Sequence, residues 1–378
     1  MSKWEEKRLE DIIDVNPPVK LKKGESYPFI DIDKVSPTRR SVTNEEVKVY
    51  DGQSSSKFCD GDTVFSRITP CLENRKIAKV AIEGDAAFGS TEFYVFRAKK
   101  KKADARFTYY LTSSDAVVLP AINSMTGASG RQRADKRFIQ RLKLNLPDLP
   151  TQERIADILS AYDDLIEANN HRIELLEQTA QELYREWFVR FRFPGYENAK
   201  FEDGIPEGWS YVRFGKAIDI IDGDRGVNYP KQEEFYPEGD CLFLNAGNVT
   251  SKGFNFSACS YITKEKDSIL RKGKLQHGDV VLTTRGTVGN VAFYNETMTF
   301  SEMRINSGMV ILRNLGVVSP EYIYTSLHHE YLQKLMTMYA SGSAQPQLPI
   351  KDMKRMKIIK PDAKTMERFT EMSADIYN

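Results

Sequence analysis

The sequence predicts an α+β architecture: two like domains in tandem, separated by a long coiled-coil helix and followed by a short second helix at the C-terminus. The observations behind this are a collinear internal repeat, heptad spacing of apolar residues from Ile155 onward, and short β-branched runs punctuated by Gly, Asn and Asp in both halves. At 378 residues the chain is too long for one ordinary domain.

The repeat is read directly from matched motifs. Gly61-Asp62-Thr63-Val64 matches Gly278-Asp279-Val280-Val281 at a shift of 278 − 61 = 217, and the Ser66-Arg67 that follows resembles Thr284-Arg285 at 284 − 66 = 218. Gly127 answers Gly342 at 342 − 127 = 215, and Pro147, Thr151, Glu153 and Arg154 return as Pro361, Thr365, Glu367 and Arg368 at 214. A period of this length is a whole domain plus a connector, not a solenoid unit.

Along the first half, strands are expected at Pro28 to Val35, Thr63 to Ile68, Ile77 to Ile82 and Glu92 to Ala98, with a helix from Phe107 to Ser113. Pro147 and Pro150 then disfavour helix before them, and Thr151 is the expected N-cap of the connector. In the connector Ile155, Tyr162, Asn169, Leu176 and Leu183 recur every seventh residue, with Leu159, Ile166, Ile173, Ala180 and Trp187 in the complementary row. At about 1.5 Å per residue this is a rod of roughly 55 to 60 Å. Polar Asn169 suits register fixing against a partner helix, and Phe193-Pro194-Gly195 ends the run. Strands follow at Cys241 to Val249, Asp279 to Thr284, Val291 to Tyr294 and Gly308 to Arg313, and a helical stretch from Pro320 to Met338. The second opening motif places Met366, Phe369 and Ile376 at seam-like positions, a natural second strand for the coil. The expected boundaries are 1–150, 151–195, 196–361 and 362–378.

Composition excludes several classes. With 40% hydrophobic and 28% charged residues the chain can bury sizeable cores and is not globally disordered. No apolar run reaches the roughly 18 residues of a spanning helix, and the first residues are charged, so a cytoplasmic location is expected and no membrane partner. The four cysteines lie far apart without a CxxC pair, supporting neither a disulfide framework nor zinc. Net charge is +1, but its distribution is uneven: Thr126 to Leu146 carries six bases against one acid, and Thr151 to Arg190 nine acids against four arginines. A phosphate-binding surface should use the former and avoid the latter.

Catalytic motifs fail on context. Asn16-Pro17-Pro18-Val19 approaches an amino-methyltransferase signature but has Val where an aromatic must stack on a flipped base, and no Gly-rich cofactor turn accompanies it. Asp33 with Glu46-Val47-Lys48 is the nearest approximation to a nuclease cluster, without a counterpart in the second half. The four histidines lack zinc or triad spacing, and no Walker A sequence occurs. Lys99 to Lys102 is read as a solvated hairpin.

Leu146-Pro147-Asp148-Leu149-Pro150-Thr151-Gln152-Glu153-Arg154-Ile155, the second-half entry Ile205-Pro206-Glu207-Gly208-Trp209 and the Ser341 to Leu348 loop together resemble the DNA-specificity (S) subunit of type I restriction-modification enzymes. The resemblance covers essentially the whole chain. It implies two target recognition domains, each reading one half of a split duplex site, with helices that space them and dock two methyltransferase (modification) subunits. S-adenosylmethionine would be held there, with no cofactor in this chain, and restriction/translocase subunits are further partners of the family. The sequence departs from the family at its end: by the 214 shift Asn378 matches Asp164, so 190 − 164 = 26 residues of distal coil are missing. The exposed seam from Ile166 to Trp187 is therefore expected to recruit a helix from a second copy or a modification subunit.

Sequence is read by base-edge contacts while phosphate contacts set position, and the polar loops that repeat between halves suit both. In the first domain the candidates are Arg67, Thr69, Asn74, Arg75, Lys76, Thr126, Ser129, Arg131, Gln132 and Arg133. In the second they are Thr284, Arg285, Thr287, Ser341, Ser343, Gln345 and Gln347. Arg suits guanine and Gln adenine, while Ser, Thr and Gly amides serve phosphates. Near-neutral net charge predicts weak binding by this chain alone. The competing readings are a scaffold whose duplicated domains bind protein or glycan, and a self-sufficient methyltransferase.

Overall fold

The computed structural model describes residues 4–44, 46–342 and 345–377. The chain forms two compact units, Met1–His171 and Arg172–Asn378.

In the first unit, a five-stranded sheet has the order Ile13–Val15, Phe93–Ala98, Thr63–Ser66, Ile77–Ala81, Ser41–Thr43. Val64, Phe65, Val80, Val95 and Phe96 are fully buried, so this sheet packs on both faces, as near-continuous apolar strands require. One face carries the helices Ala105–Ser113 and Asp115–Asn123, and the other a second sheet in which Ser26–Ile30 pairs parallel with Ala87–Gly89. Trp4–Arg8 pairs with Lys143–Pro147.

The second unit repeats the plan. Its main sheet has the order Ile218–Asp222, Met309–Asn314, Asp279–Thr283, Val291–Tyr294. Its smaller sheet again contains one parallel pair, Cys241–Leu244 with Met303–Ile305, and Ser210–Arg213 pairs with Lys357–Lys360.

Several expectations need correction. The run from Pro28 is a strand only to Ile30, because Asp31 caps a 3-10 turn at Ile32–Lys34. Likewise the run from Cys241 leaves the sheet after Leu244, where Asn245 Oδ1 accepts from Gly247 N at 2.8 Å. Pro320 to Met338 is two helices, Pro320–His328 and Glu330–Tyr339, broken at His329 in extended conformation (φ −69°, ψ 138°). The connector helix runs Leu149–Tyr184, followed by a π-helical turn at Arg185–Val189. Asp148 takes the capping role expected of Thr151: its carboxylate accepts from Thr151 N at 3.1 Å. The helix also ends before Phe193-Pro194-Gly195, with Phe191 already at φ +57°.

The seam is divided by its surroundings. Leu159, Tyr162, Ile166, Asn169, Ile173 and Leu176 are exposed, as expected of an unpaired stripe, and Ile155 is half-buried. Trp187 is not exposed. It lies with Leu183 against the second unit's own apolar core, where Trp187 and Phe188 pack on Phe369 at ring distances of 6.0 and 4.9 Å. Phe369, on the C-terminal helix Ala363–Tyr377, is thereby committed to this core. Among the described residues no helix is long and apolar enough to cross a membrane.

Candidate nucleic-acid interface

The interface begins with where each strand ends. In the first unit the chain leaves the sheet at Ser66 into the loop Arg67 to Lys76, and Thr126 to Arg133 forms a tight hairpin beside it. Thr126 and Arg133 exchange both backbone hydrogen bonds, at 3.1 and 2.9 Å, around a turn in which Arg131 N donates to Ala128 O. Gly127 makes the hairpin possible: it sits at φ +124°, and a Cβ there would meet Arg131 O at 3.3 Å.

Two backbone bonds stitch loop to hairpin, and a third ties the loop to Glu92, just ahead of the strand Phe93–Ala98. Thr69 N donates to Gln132 O at 3.0 Å, Ala134 N to Arg67 O at 2.8 Å, and Arg67 N to Glu92 O at 2.9 Å. The second unit makes the same three: Gly286 N to Pro346 O at 3.1 Å, Leu348 N to Thr284 O at 2.9 Å, and Thr284 N to Gly308 O at 2.8 Å. Ser341 and Gln347 pair as Thr126 and Arg133 do. Gly342, at φ +102°, leaves even less room, since a Cβ would lie 2.9 Å from Gln345 O. The residue offsets are 286 − 69 = 217, 348 − 134 = 214 and 308 − 92 = 216, so the sequence repeat is reproduced bond by bond.

A buried ion pair anchors each frame. Asp62 accepts from Arg97 Nε and Nη2 at 2.7 and 2.6 Å, and Asp279 from Arg313 Nε and Nη2 at 2.8 and 2.7 Å. Each carboxylate also caps the turn before its strand, accepting from Cys59 N and Gln276 N at 2.7 Å. Neither pair was anticipated, although both aspartates stand in the repeated Gly-Asp motif and were visible there.

The side chains on the two frames differ. In the first unit, Arg67 and Arg133 both bond Glu92, and the Arg67 guanidinium lies over the Tyr94 ring at 5.4 Å. The Arg133 bonds hold the Glu92 carboxyl below its ordinary range against the opposing effect of burial, and Arg67 adds to the effect. In the second unit, Thr284, Gly308 and Gln347 stand at the corresponding places, without charge; the backbone bonds thus set Arg67 against Thr284 and not against Arg285, the residue the motif match paired with it. Arg285 Nε is buried there with no hydrogen-bond partner among the described residues.

The structure gathers Arg67, Thr69, Thr126, Gln132 and Arg133 in one cluster, with Ser129 and Arg131 exposed at the hairpin turn. Asn74 is exposed at the far end of its loop, Arg75 is bound to Asp115 and to Ser113 O, and Lys76 Nζ donates to Ile32 O at 3.0 Å. In the second unit Thr284, Arg285, Ser341 and Gln347 come together; Thr287 and Gln345 are exposed, and Ser343 lies outside the described residues. Glu92 and Tyr94 were missed, because the second half has no counterpart acid to flag them.

The Asn16-Pro17-Pro18 segment lines a cleft of about 500 Å³ that Lys57 and Arg67 also border. Asn16 sits at φ +55° and its Oδ1 accepts from Val95 N at 2.8 Å, which spends the side chain on the sheet edge. Among the described residues no group of three or more His, Cys, Asp or Glu could hold a metal ion. Burial pushes the Cys241 thiol up to about 12, which makes it a poor nucleophile.

Comparison with known proteins agrees with the duplication. The family model described as type I restriction modification DNA specificity domain matches residues 1–178 and again 206–373. The type I restriction enzyme MjaIX specificity subunit of Methanocaldococcus jannaschii is 22% identical, over 99% of this chain and 87% of its own. The putative type I restriction enzyme MjaX specificity subunit of the same organism is 25% identical, over 95% and 83%. The crystal structure of a type I restriction-modification system S subunit from M. genitalium aligns with a TM-score of 0.56 at 12% identity, covering 100% of this chain and 89% of that one.

Proposed function

The chain belongs to the type I restriction modification DNA specificity family, and from that premise we propose that its two units each read one half of a bipartite duplex target and direct adenine methylation by partner subunits. It is a specificity subunit, noncatalytic in itself. Two methyltransferase subunits would hold S-adenosylmethionine and carry out the transfer in the cytoplasm, and restriction/translocase subunits would add cleavage. The exposed stripe at Leu159, Tyr162, Ile166, Ile173 and Leu176 is assigned to a partner helix, from those subunits or a second copy.

The observation that carries this reading is the loop pair built twice on one hydrogen-bond frame and filled with different side chains. A repeated frame presents each reader in the same local way, while unlike side chains demand unlike half-sites. The loop arginines and hydroxyls supply both base and phosphate contacts, yet a net charge of +1 leaves little electrostatic affinity to the chain alone. Binding should therefore be weak and salt-sensitive for the isolated subunit and much tighter for the assembled complex.

The deciding measurement is a map of methylated adenines in the host genome with this chain present or deleted. The expected result is one two-part motif with an unread spacer that disappears on deletion. An unchanged methylome would sink the proposal, and S-adenosylmethionine binding by the purified chain would favour a self-sufficient methyltransferase instead.

A further inference from the structure

Glu92 receives two guanidiniums on one carboxylate. Arg133 Nε donates to Oε2 at 2.9 Å and Nη2 to Oε1 at 2.6 Å, while Arg67 Nε donates to Oε2 at 3.2 Å. A guanidinium has five N–H donors in a planar fork, and this sideways grip occupies the Nε edge of Arg133. The edge formed by Nη1 and the second Nη2 hydrogen is left over, two parallel donors that match O6 and N7 of guanine in the major groove. Exposure follows the same direction: the Glu92 side chain is 20% exposed and that of Arg133 44%, so the carboxylate stands inside and the cation outside. Tyr94 backs the arrangement, with its ring under Arg67 and its hydroxyl donating to Ala134 O at 2.7 Å, at the foot of the hairpin.

We propose that Glu92 is a positioning residue that holds Arg133 with its outer edge presented to DNA, so that the first unit requires a guanine at one position of its half-site. The inference rests on the DNA-reading role proposed above and adds which base and which residues. A long arginine left free would sample many rotamers and tolerate several bases; one clamped to a carboxylate meets a guanine edge without reorganisation. The second unit, with Gly308 and Gln347 at the corresponding places, has neither the carboxylate nor the arginine at those two positions and should not share this requirement. A carboxylate serving only to tether the hairpin would leave base choice untouched, and this separates the two roles.

The test uses the full chain assembled with its modification subunits and a duplex library randomised across both half-sites, sequenced before and after binding. Wild type should select a two-part site with a guanine fixed in one half. Glu92→Gln and Arg133→Lys should each lower that guanine preference roughly 5- to 150-fold, the range of one bidentate contact, and leave the other half-site as before. The unchanged half-site certifies that the variants assemble, and retained selection at the remaining positions of the first half-site certifies that the first unit folds. If both variants keep the wild-type preference, the inference is overturned. It is equally overturned if Glu92→Gln loses the whole first half-site while Arg133→Lys keeps its guanine. A wild-type complex that selects no sequence would instead refute the DNA-reading role itself.

Discussion

In the first unit the long helix is gripped by charge, and in the second it is sunk among rings. Arg106 Nη1 meets Asp157 at 2.7 Å, Tyr110 donates to Asp163 at 2.6 Å, and Arg40 Nη2 reaches Asp164 at 2.6 Å. Further along, Tyr184, Trp187 and Phe188 lie in one apolar cluster with Trp209, Tyr322 and Phe369. Neither apolar cluster of the first unit contains a residue of the helix, so that unit's core closes without it. The second unit's core does not. Contacts whose carboxylates stand in solvent contribute little each, whereas buried aromatics contribute several kcal/mol, so the same helix is an accessory in one unit and a structural member in the other.

The contrast can be broken most forcefully at Trp187. Replacing it with Ala should destabilise the second unit by about 3–5 kcal/mol through loss of burial and an unfilled cavity. Denaturant unfolding should show the second unit's transition moving and the first unit's unchanged. A shift of both would mean that the units do not unfold separately.

A matched pair of substitutions sharpens the opposite point, that the frames are alike. Arg97→Ala and Arg313→Ala each leave a buried carboxylate, Asp62 or Asp279, without its cation. Because both arginines are roughly a third exposed, the cost is discounted to about 2 kcal/mol in each unit. Clearly unequal losses would indicate that the repeated geometry does not carry repeated energetics.

The smallest effect is expected at Arg40→Ala, which removes pairing to Asp164 and Glu167. Both acids are largely exposed, so stability should fall by less than about 1 kcal/mol, and less still in high salt. A loss as large as that at Trp187, or one indifferent to salt, would show that the charged grip is more than an accessory.

Much of this was legible from residues alone. The main strands, the duplication and the long helix followed from periodicity and from collinear motifs, because apolar alternation and heptad spacing are local properties of the chain. Boundaries were less legible. Asp148 displaced Thr151 as the cap because the helix begins at Leu149, which leaves Asp148 at its head with the carboxylate on Thr151 N, and His329 split a helix that apolar spacing alone made continuous. The candidate loops were named, but Glu92 was not: it lies 41 residues from Arg133 in sequence and becomes its partner only when the strand beginning at Phe93 brings it beneath the hairpin.

By itself the sequence determined that two like domains flank a helix, which loops repeat, and where positive charge is concentrated, since each is a matter of residue order. Tertiary structure alone decided which acids of the helix hold the first unit, which of its apolar residues the second unit buries, and which arginines share one carboxylate. Those outcomes depend on contacts between residues distant in the chain, whose strength is set by burial and geometry that no local pattern encodes.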